Sequence, residues 1–331
     1  MEQFSQFGMT KEEAMEQTKT SAQRTADWLR LKRSEERNKV FKHGIKGLRL
    51  NHYKQIAEMT SGVRPGMWGL LAKSHIGKTT LLVSMCGDML RSNDGVKCIM
   101  YAFDDDKDYM RHMLIAFLSE VDKNEVDCKA STICRQEKVD KAYAELVGYA
   151  ESGRFILKDY DDIEHFDDLL ADMKAEIKDC NEMCVFLDGQ ANLDCDVRDI
   201  RAANVYKANM LKRVSNQLKM PVLLTLEVPK TSSIWRPEKE DVMESVKYTF
   251  NCVVIIAISL INKDTYSEPG YTVLVMDLVK NKFGKYKDYI FAMLQGEYAR
   301  LMMAKEAEKA GFMALATDFD DSWSNKNKKG K

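Results

Sequence analysis

Three observations predict an α/β fold with a mainly parallel central sheet flanked by helices. Apolar runs of strand length alternate with helical patterns along most of the chain. The first run, Met67-Trp68-Gly69-Leu70-Leu71, leads into a loop that ends in Gly77-Lys78-Thr79, where a helical pattern, Leu81-Leu82-Val83-Ser84-Met85, begins. A later run, Met183-Cys184-Val185-Phe186-Leu187, ends in Asp188 with Gly189 behind it.

Residues 1–43 precede that pattern and read as a helical arm. Thr10 and Glu13 form a capping-box signal, and the helix is expected to run to about Arg37. Its apolar residues are few (Met15, Ala22, Trp28, Leu29 and Leu31). A helix this polar does not sit in its own core, so the expectation is an arm that docks Trp28 on a neighbour. Residues 44–66 are punctuated by Gly44, Gly47 and Gly62 and close on Val63-Arg64-Pro65-Gly66.

The loop from Ala72 through Lys73, Ser74, His75, Ile76 and Gly77 to Lys78, Thr79 and Thr80 is the expected nucleotide cradle. Backbone N–H groups at a helix start wrap phosphates, the lysine reaches the outer phosphate oxygens, and the hydroxyl of Thr79 ligates Mg²⁺. The pattern usually opens with glycine, and Ala72 stands there.

Further along, Val96 to Phe103 reads as a strand, Asp108 to Val121 and Gln136 to Glu151 as helices, and Phe155-Ile156-Leu157 as a short strand. Phe166 to Ile177 is a helix, and a basic helix runs from about Arg198 to Leu218. Strands follow at Val222–Leu226 and Cys252–Ile256. The last two, Thr272–Val279 and Tyr289–Leu294, form a hairpin.

Asp188 at the end of a buried strand suits the carboxylate that holds Mg²⁺ through water. Asp104, Asp105 and Asp106 follow the second strand, expected beside the phosphate-loop strand. One of them suits the carboxylate that activates water, with Asp104 first and Asp105 next.

Composition bounds the rest. The chain has 331 residues, 45% hydrophobic and 31% charged, enough for one large domain with appendages. A net charge of −1 confines any nucleic-acid contact to a local patch. No two of the eight cysteines are in CxxC spacing, which reads as reduced core thiols. No apolar run reaches spanning length and the N-terminus is polar, so no membrane role is expected. The expected compartment is the cytoplasm, the host's if the chain is viral.

In order, the chain carries Val63-Arg64-Pro65-Gly66, the phosphate loop, a strand with an acidic end, and Asp188. Then come Met220-Pro221-Val222-Leu223-Leu224-Thr225-Leu226-Glu227, Arg236-Pro237 with Asp241, Glu244-Ser245, and Lys280-Asn281-Lys282 with Gly284. Over about residues 44–300 this resembles the RecA-like P-loop ATPase domain of DnaB-type replicative helicases, in a phage-like, diverged form. Members often carry alanine at the first loop position. The resemblance implies a ring, usually a hexamer, with ATP and Mg²⁺ at subunit interfaces and single-stranded DNA through the centre. It implies that residues 10–40 are the linker helix that packs on the next subunit. Asp104 falls nearest the family's catalytic glutamate. Glu227 falls on its γ-phosphate-sensing glutamine, and Lys280 and Lys282 on its Lys-x-Arg pair, which reaches the neighbour's site. Three of these differ from the family: Asp104 is a methylene short, Glu227 is an anion near an anionic phosphate, and Lys282 lacks the guanidinium fork. The family's Arg-Glu-Ser-Gly DNA loop reads Met243-Glu244-Ser245-Val246 here, with Lys247 next.

Two segments suit DNA contact. One is Asn192 to Ala203, with Arg198 and Arg201. The other runs from Lys230 through Trp235 and Arg236 to Glu244 and Lys247. Residues 316–331 read as a flexible tail, acidic and aromatic at Asp318–Trp323 and then lysine-rich. It suits the recruitment of a replication partner: a primase, a polymerase or a single-strand-binding protein. The first functional expectation is an ATP-driven DNA helicase. Two alternatives are a RecA-like ATPase that binds DNA for recombination or loading without processive unwinding, and a ring subunit that binds nucleotide without turnover.

Overall fold

A computed structural model of the chain describes residues 20–43, 45–126, 133–180, 182–229, 237–243, 246–260, 272–284 and 289–303. The chain divides into two compact units, Met1–Lys46 and Gly47–Lys331.

In the first unit, helix α1 spans Ser21–His43. Thr20 and Gln23 form a reciprocal cap: the Gln23 N–H donates to Thr20 Oγ1 at 3.2 Å, and the Thr20 N–H donates to Gln23 Oε1 at 2.8 Å. The helix therefore runs past Arg37, and the expected start at Thr10 lies outside the described residues. Trp28, Leu29 and Leu31 are 54–57% exposed.

The second unit is built on a nine-stranded sheet. Its elements in chain order are α2 (Lys54–Thr60), β1 (Gly66–Ala72), α3 (Lys78–Ser92), β2 (Val96–Ala102), α4 (Lys107–Ser119), α5 (Lys123–Val126), α6 (Ile133–Glu151) and β3 (Phe155–Lys158). There follow α7 (Phe166–Glu176), β4 (Glu182–Asp188), α8 (Ile200–Leu218), β5 (Pro221–Glu227), α9 (Val246–Asn251), β6 (Cys252–Leu260), β7 (Thr272–Asn281), β8 (Tyr289–Gln295) and β9 (Arg300–Met303).

The strand order is β3-β2-β4-β5-β1-β6-β7-β8-β9. The six from β3 to β6 are parallel, and β7, β8 and β9 continue the sheet antiparallel. β7 and β8 pair antiparallel, as expected, but they are not the last strands, because β9 follows.

Continuous burial along β1 and β2 follows from helices on both faces. Alternate residues of β1 serve opposite cores. Trp68, Leu70 and Ala72 join α3 and α4 through Leu81, Met85 and Leu114. Met67 and Leu71 join α7 and α8 through Leu169, Met173, Leu211 and Val214. The Asp88 carboxylate of α3 accepts from the N–H groups of Asn51, His52 and Tyr53 at 3.0 Å each, tying the start of α2 to the phosphate-loop helix.

One expectation is overturned by this order. β2, which leads to Asp104, is not the neighbour of β1 but lies beyond β5 and β4. The neighbours of β1 are β5 and β6. Strand neighbourhood here is decided by pairings as distant as Gly66 with Pro221, which a local pattern does not encode.

Candidate nucleotide site

The parallel strands deliver their last residues to one end of the sheet. In register, Ala72 of β1 sits beside Glu227 of β5, and Ala102 of β2 sits beside Asp188 of β4. Crevices at carboxyl ends of parallel strands are where such sheets take ligands. The loop after Ala72 turns sharply, with His75 (φ 63°) and Gly77 (φ 97°) in the left-handed region, and Gly77 caps α3. That leaves the first N–H groups of α3 without helical partners, the arrangement that receives an anion.

Lys78, 8% exposed, donates through Nζ to Ala72 O at 3.2 Å, Lys73 O at 3.1 Å and Glu227 Oε1 at 3.3 Å. The Ser74 hydroxyl donates to the same Glu227 oxygen at 3.3 Å. The Glu227 anion is thus paired with the cation that the sequence assigns to phosphate.

Thr79 Oγ1 donates to Asp188 Oδ2 at 2.8 Å, and Thr225 Oγ1 donates to Asp188 Oδ1 at 2.8 Å. Burial pushes the Asp188 carboxyl up to about 6. The two threonine hydroxyls pull it down, and the Asp104 and Asp105 charges push it up again. A buried carboxylate held beside a hydroxyl suits a hard cation. Among the described residues, no group of three or more His, Cys, Asp or Glu could hold a metal by itself. Thr79 and Asp188 therefore fit Mg²⁺, which completes its shell with phosphate oxygens and water.

The raised Asp188 pKa has a consequence for stability. Asp188 has a higher pKa folded than its ordinary 3.8, so its contribution is fully present below 3.8 and lost as pH rises through about 6. Asp188→Asn should stabilise the nucleotide-free protein at pH 7.5 by about 2–3 kcal/mol while destroying Mg²⁺-dependent nucleotide binding. The gain should vanish as pH falls from about 6 to 3.8. Melting curves across pH test it, and a variant less stable than wild type at pH 7.5 would refute it.

Of the three aspartates after β2, Asp106 caps α4, its carboxylate accepting from the Tyr109 N–H at 2.7 Å. Asp105 is raised by burial, then by Asp104 and Asp106. Asp104 lines a cleft of about 110 Å³ together with Lys78, Asp188, Gln190, Asn192 and Glu227. Despite the distance of β2 from β1, Asp104 and Lys78 thus share one cleft.

Lys280 and Lys282 lie elsewhere. Lys280 pairs with Ile255 of β6, and the Lys282 N–H donates to Val253 O. Val254 and Ile255 pair with Trp68 and Gly69, where β1 begins, whereas the phosphate loop follows its other end. At the usual rise, roughly 10 Å of strand separates them. Lys280 Nζ donates to Thr249 O at 2.5 Å and Phe250 O at 3.1 Å, at the end of α9. Burial lowers its pKa, and the Lys282 charge lowers it further.

Arg198 and Arg201 are exposed around the start of α8, whose cap is Asp199. Arg198 lines a second cleft of about 550 Å³ with Ile200, Lys207 and Met243. It adjoins the first through Ala191, Asn192 and Met243. Lys247 is exposed on α9. Lys230, Trp235, Arg236 and Glu244 lie outside the described residues, as does the tail, 316–331. Sequence reasoning missed Gln190, Asn192 and Thr225. The signal for Gln190 is its place two residues after Asp188.

No helix among the described residues is long and apolar enough to cross a membrane. No protein-family model matches the sequence, and no curated protein does. Among solved structures, the chain is similar to the isolated ATPase domain of one DnaB-like replicative helicase (TM-score 0.67, 14% identity, 78% of this chain and 91% of that one). It is also similar to a second DnaB-like replicative helicase, described with its interactions with primase (TM-score 0.68, 13% identity). There the match covers 80% of this chain but spans only 64% of the helicase's length. The chain has the RecA-like fold of the ATPase domains of DnaB-like replicative helicases.

Proposed function

We propose that the protein is a ring-forming ATPase, most simply a hexamer, that translocates on single-stranded DNA as a helicase in phage-type DNA replication. The observation that carries this is the convergence of Lys78, the Thr79–Asp188 pair, Asp104 and Glu227 at the ends of β1, β4, β2 and β5. Lys78 and the loop N–H groups bind the triphosphate, and Thr79 and Asp188 hold Mg²⁺. When bound, Mg²⁺ neutralises charge on the outer phosphates. Asp104 takes the proton from the attacking water. Glu227 leaves Lys78 when the γ-phosphate arrives. Arg198, Arg201 and Lys247, with the segment from Lys230 to Glu244, neutralise DNA phosphates.

Lys280 and Lys282 act on the neighbouring subunit's nucleotide in this reading, because their own phosphate loop follows the other end of β1. Residues 1–43 are the arm that docks Trp28 on that neighbour, 44–315 the motor domain, and 316–331 the tail that recruits a primase, a polymerase or a single-strand-binding protein. The Lys78–Glu227 pair favours one second reading, a DNA-binding ATPase that turns over without processive unwinding.

ATP hydrolysis with and without single-stranded DNA, measured beside unwinding of a forked duplex, tests both. DNA-stimulated hydrolysis with unwinding supports the first, and hydrolysis without unwinding the second. No hydrolysis overturns both. The trans role has its own test. Equimolar mixing of inactive Lys78→Ala and Lys282→Ala subunits leaves about a quarter of head-to-tail interfaces with both wild-type halves, so activity should recover toward that fraction. Intact mixed rings without recovery would exclude it.

A further inference from the structure

Gln190 is 1% exposed and lines the same cleft as Lys78, Asp104 and Asp188. Its Nε2 donates to Thr225 O at 2.9 Å. Its Oε1 is buried and has no hydrogen-bond partner among the described residues. Turning the amide over would set two acceptors against each other at Thr225 O, so the orientation is chemically determined. The side chain brings one unpaired acceptor to the cleft wall. Leaving such an atom buried is costly, so a donor belongs beside it.

A phosphate oxygen cannot fill that role, because it too is an acceptor. A water molecule can, with one hydrogen for Gln190 and one for a carboxylate. The carboxylate at hand is Asp104, whose Oδ1 accepts from Asn192 Nδ2 at 3.4 Å. One short turn positions both. The Asn192 N–H donates to Gly189 O at 2.9 Å, and Asn192 Nδ2 also donates to Phe103 O at 3.0 Å. Gly189 has φ 71°, and a Cβ there would come within 2.7 Å of the Asp104 nitrogen. The turn therefore lies directly on the backbone of Asp104. Lys207, 4% exposed, secures the turn from α8 by donating to Ala191 O at 2.9 Å and to Leu193 O.

We propose that Gln190 Oε1 and the Asp104 carboxylate together hold and aim the attacking water. This rests on the ATPase reading above and adds a residue to it. The water oxygen bonds to the γ-phosphorus as the bond from that phosphorus to the bridging oxygen breaks. ADP leaves with that electron pair, one proton passes to Asp104, and the other stays with inorganic phosphate. Gln190 exchanges no proton. It limits the orientations of the water.

Gln190→Met keeps the volume and removes the acceptor. The expected result is a fall in kcat of about 100-fold. Affinity for a fluorescent ATP analogue should stay within about twofold, because no phosphate contact is lost. Binding of Mg·ADP·AlF₄⁻, which carries an in-line water, should weaken, while Mg·ADP·BeF₃⁻, which lacks one, should bind as in wild type. Gln190→Ala should give the same split and serves if the methionine variant does not fold. Wild-type kcat in these variants overturns the proposal, as does equal weakening of both fluoride complexes, which would mark a purely structural residue. Wild-type protein that hydrolyses no more ATP than Lys78→Ala would overturn the ATPase reading itself. Hydrolysis lost in Lys78→Ala but kept in Gln190→Met overturns this inference alone.

Discussion

Lys78→Ala protein should hydrolyse ATP at background rate and lose most of its nucleotide affinity. Lys78 Nζ sits at the start of α3, held by the carbonyls of Ala72 and Lys73 and by Glu227. It is the buried cation that the cleft presents to a triphosphate. Its loss costs more than one contact, because Glu227 Oε1 then loses the ammonium beside it and turns its charge on the incoming phosphates. Losing a charge-assisted phosphate contact of this kind costs about 3 kcal/mol or more, over a hundredfold in affinity. Titration with a fluorescent ATP analogue reads the loss directly, and wild-type hydrolysis in the variant would refute the assignment of the loop.

Glu227→Gln should act in the opposite direction. The carboxylate shields Lys78 in the empty site, and ATP must displace it. With the amide there, no Glu227 charge faces the γ-phosphate. Partial exposure and solvent screening bring the repulsion down to about 1–2 kcal/mol, so ATP should bind about tenfold more tightly, with a smaller gain for ADP. The nucleotide-free variant should melt lower than wild type, because the buried lysine loses its anionic partner, and the ATP-bound variant should melt higher. Unchanged or weaker ATP binding would show that the Lys78–Glu227 pair does not compete with nucleotide.

Much of this is legible in the amino-acid sequence, and the parts that are not share a physical cause. Apolar runs that end in one polar residue locate β1, β4 and β5 to within a residue or two, since a strand buried on both faces has no choice of composition. The capping signal at Thr20 and Gln23 has the same form as the earlier one at Thr10 and Glu13, and nothing local ranks the two. β9 has four residues, too few for a periodicity to register. The order of strands escapes a local reading because ladders between distant segments leave no mark on either one alone. Gln190 and Asn192 escape it for a related reason. An amide acquires its role from the carbonyl or carboxylate that the fold sets against it, here Thr225 O and Asp104 Oδ1.

The ladder around β1 also sets a timetable for synthesis. The strand that carries the phosphate loop is made early, at residues 66–72, yet both its neighbours are made late: β5 at 221–227 and β6 from 252. While the ribosome adds the residues in between, β1 has two open edges and a fully buried, mostly apolar sequence to hide, Gly-Met-Trp-Gly-Leu-Leu-Ala. Pairing at such long sequence separation is slow even once both partners exist. The nascent chain therefore cannot close its nucleotide cleft until β6, which ends at Leu260, has left the exit tunnel. Until then ATP has no folded site to stabilise, and the exposed strand is what a ribosome-associated chaperone would cover.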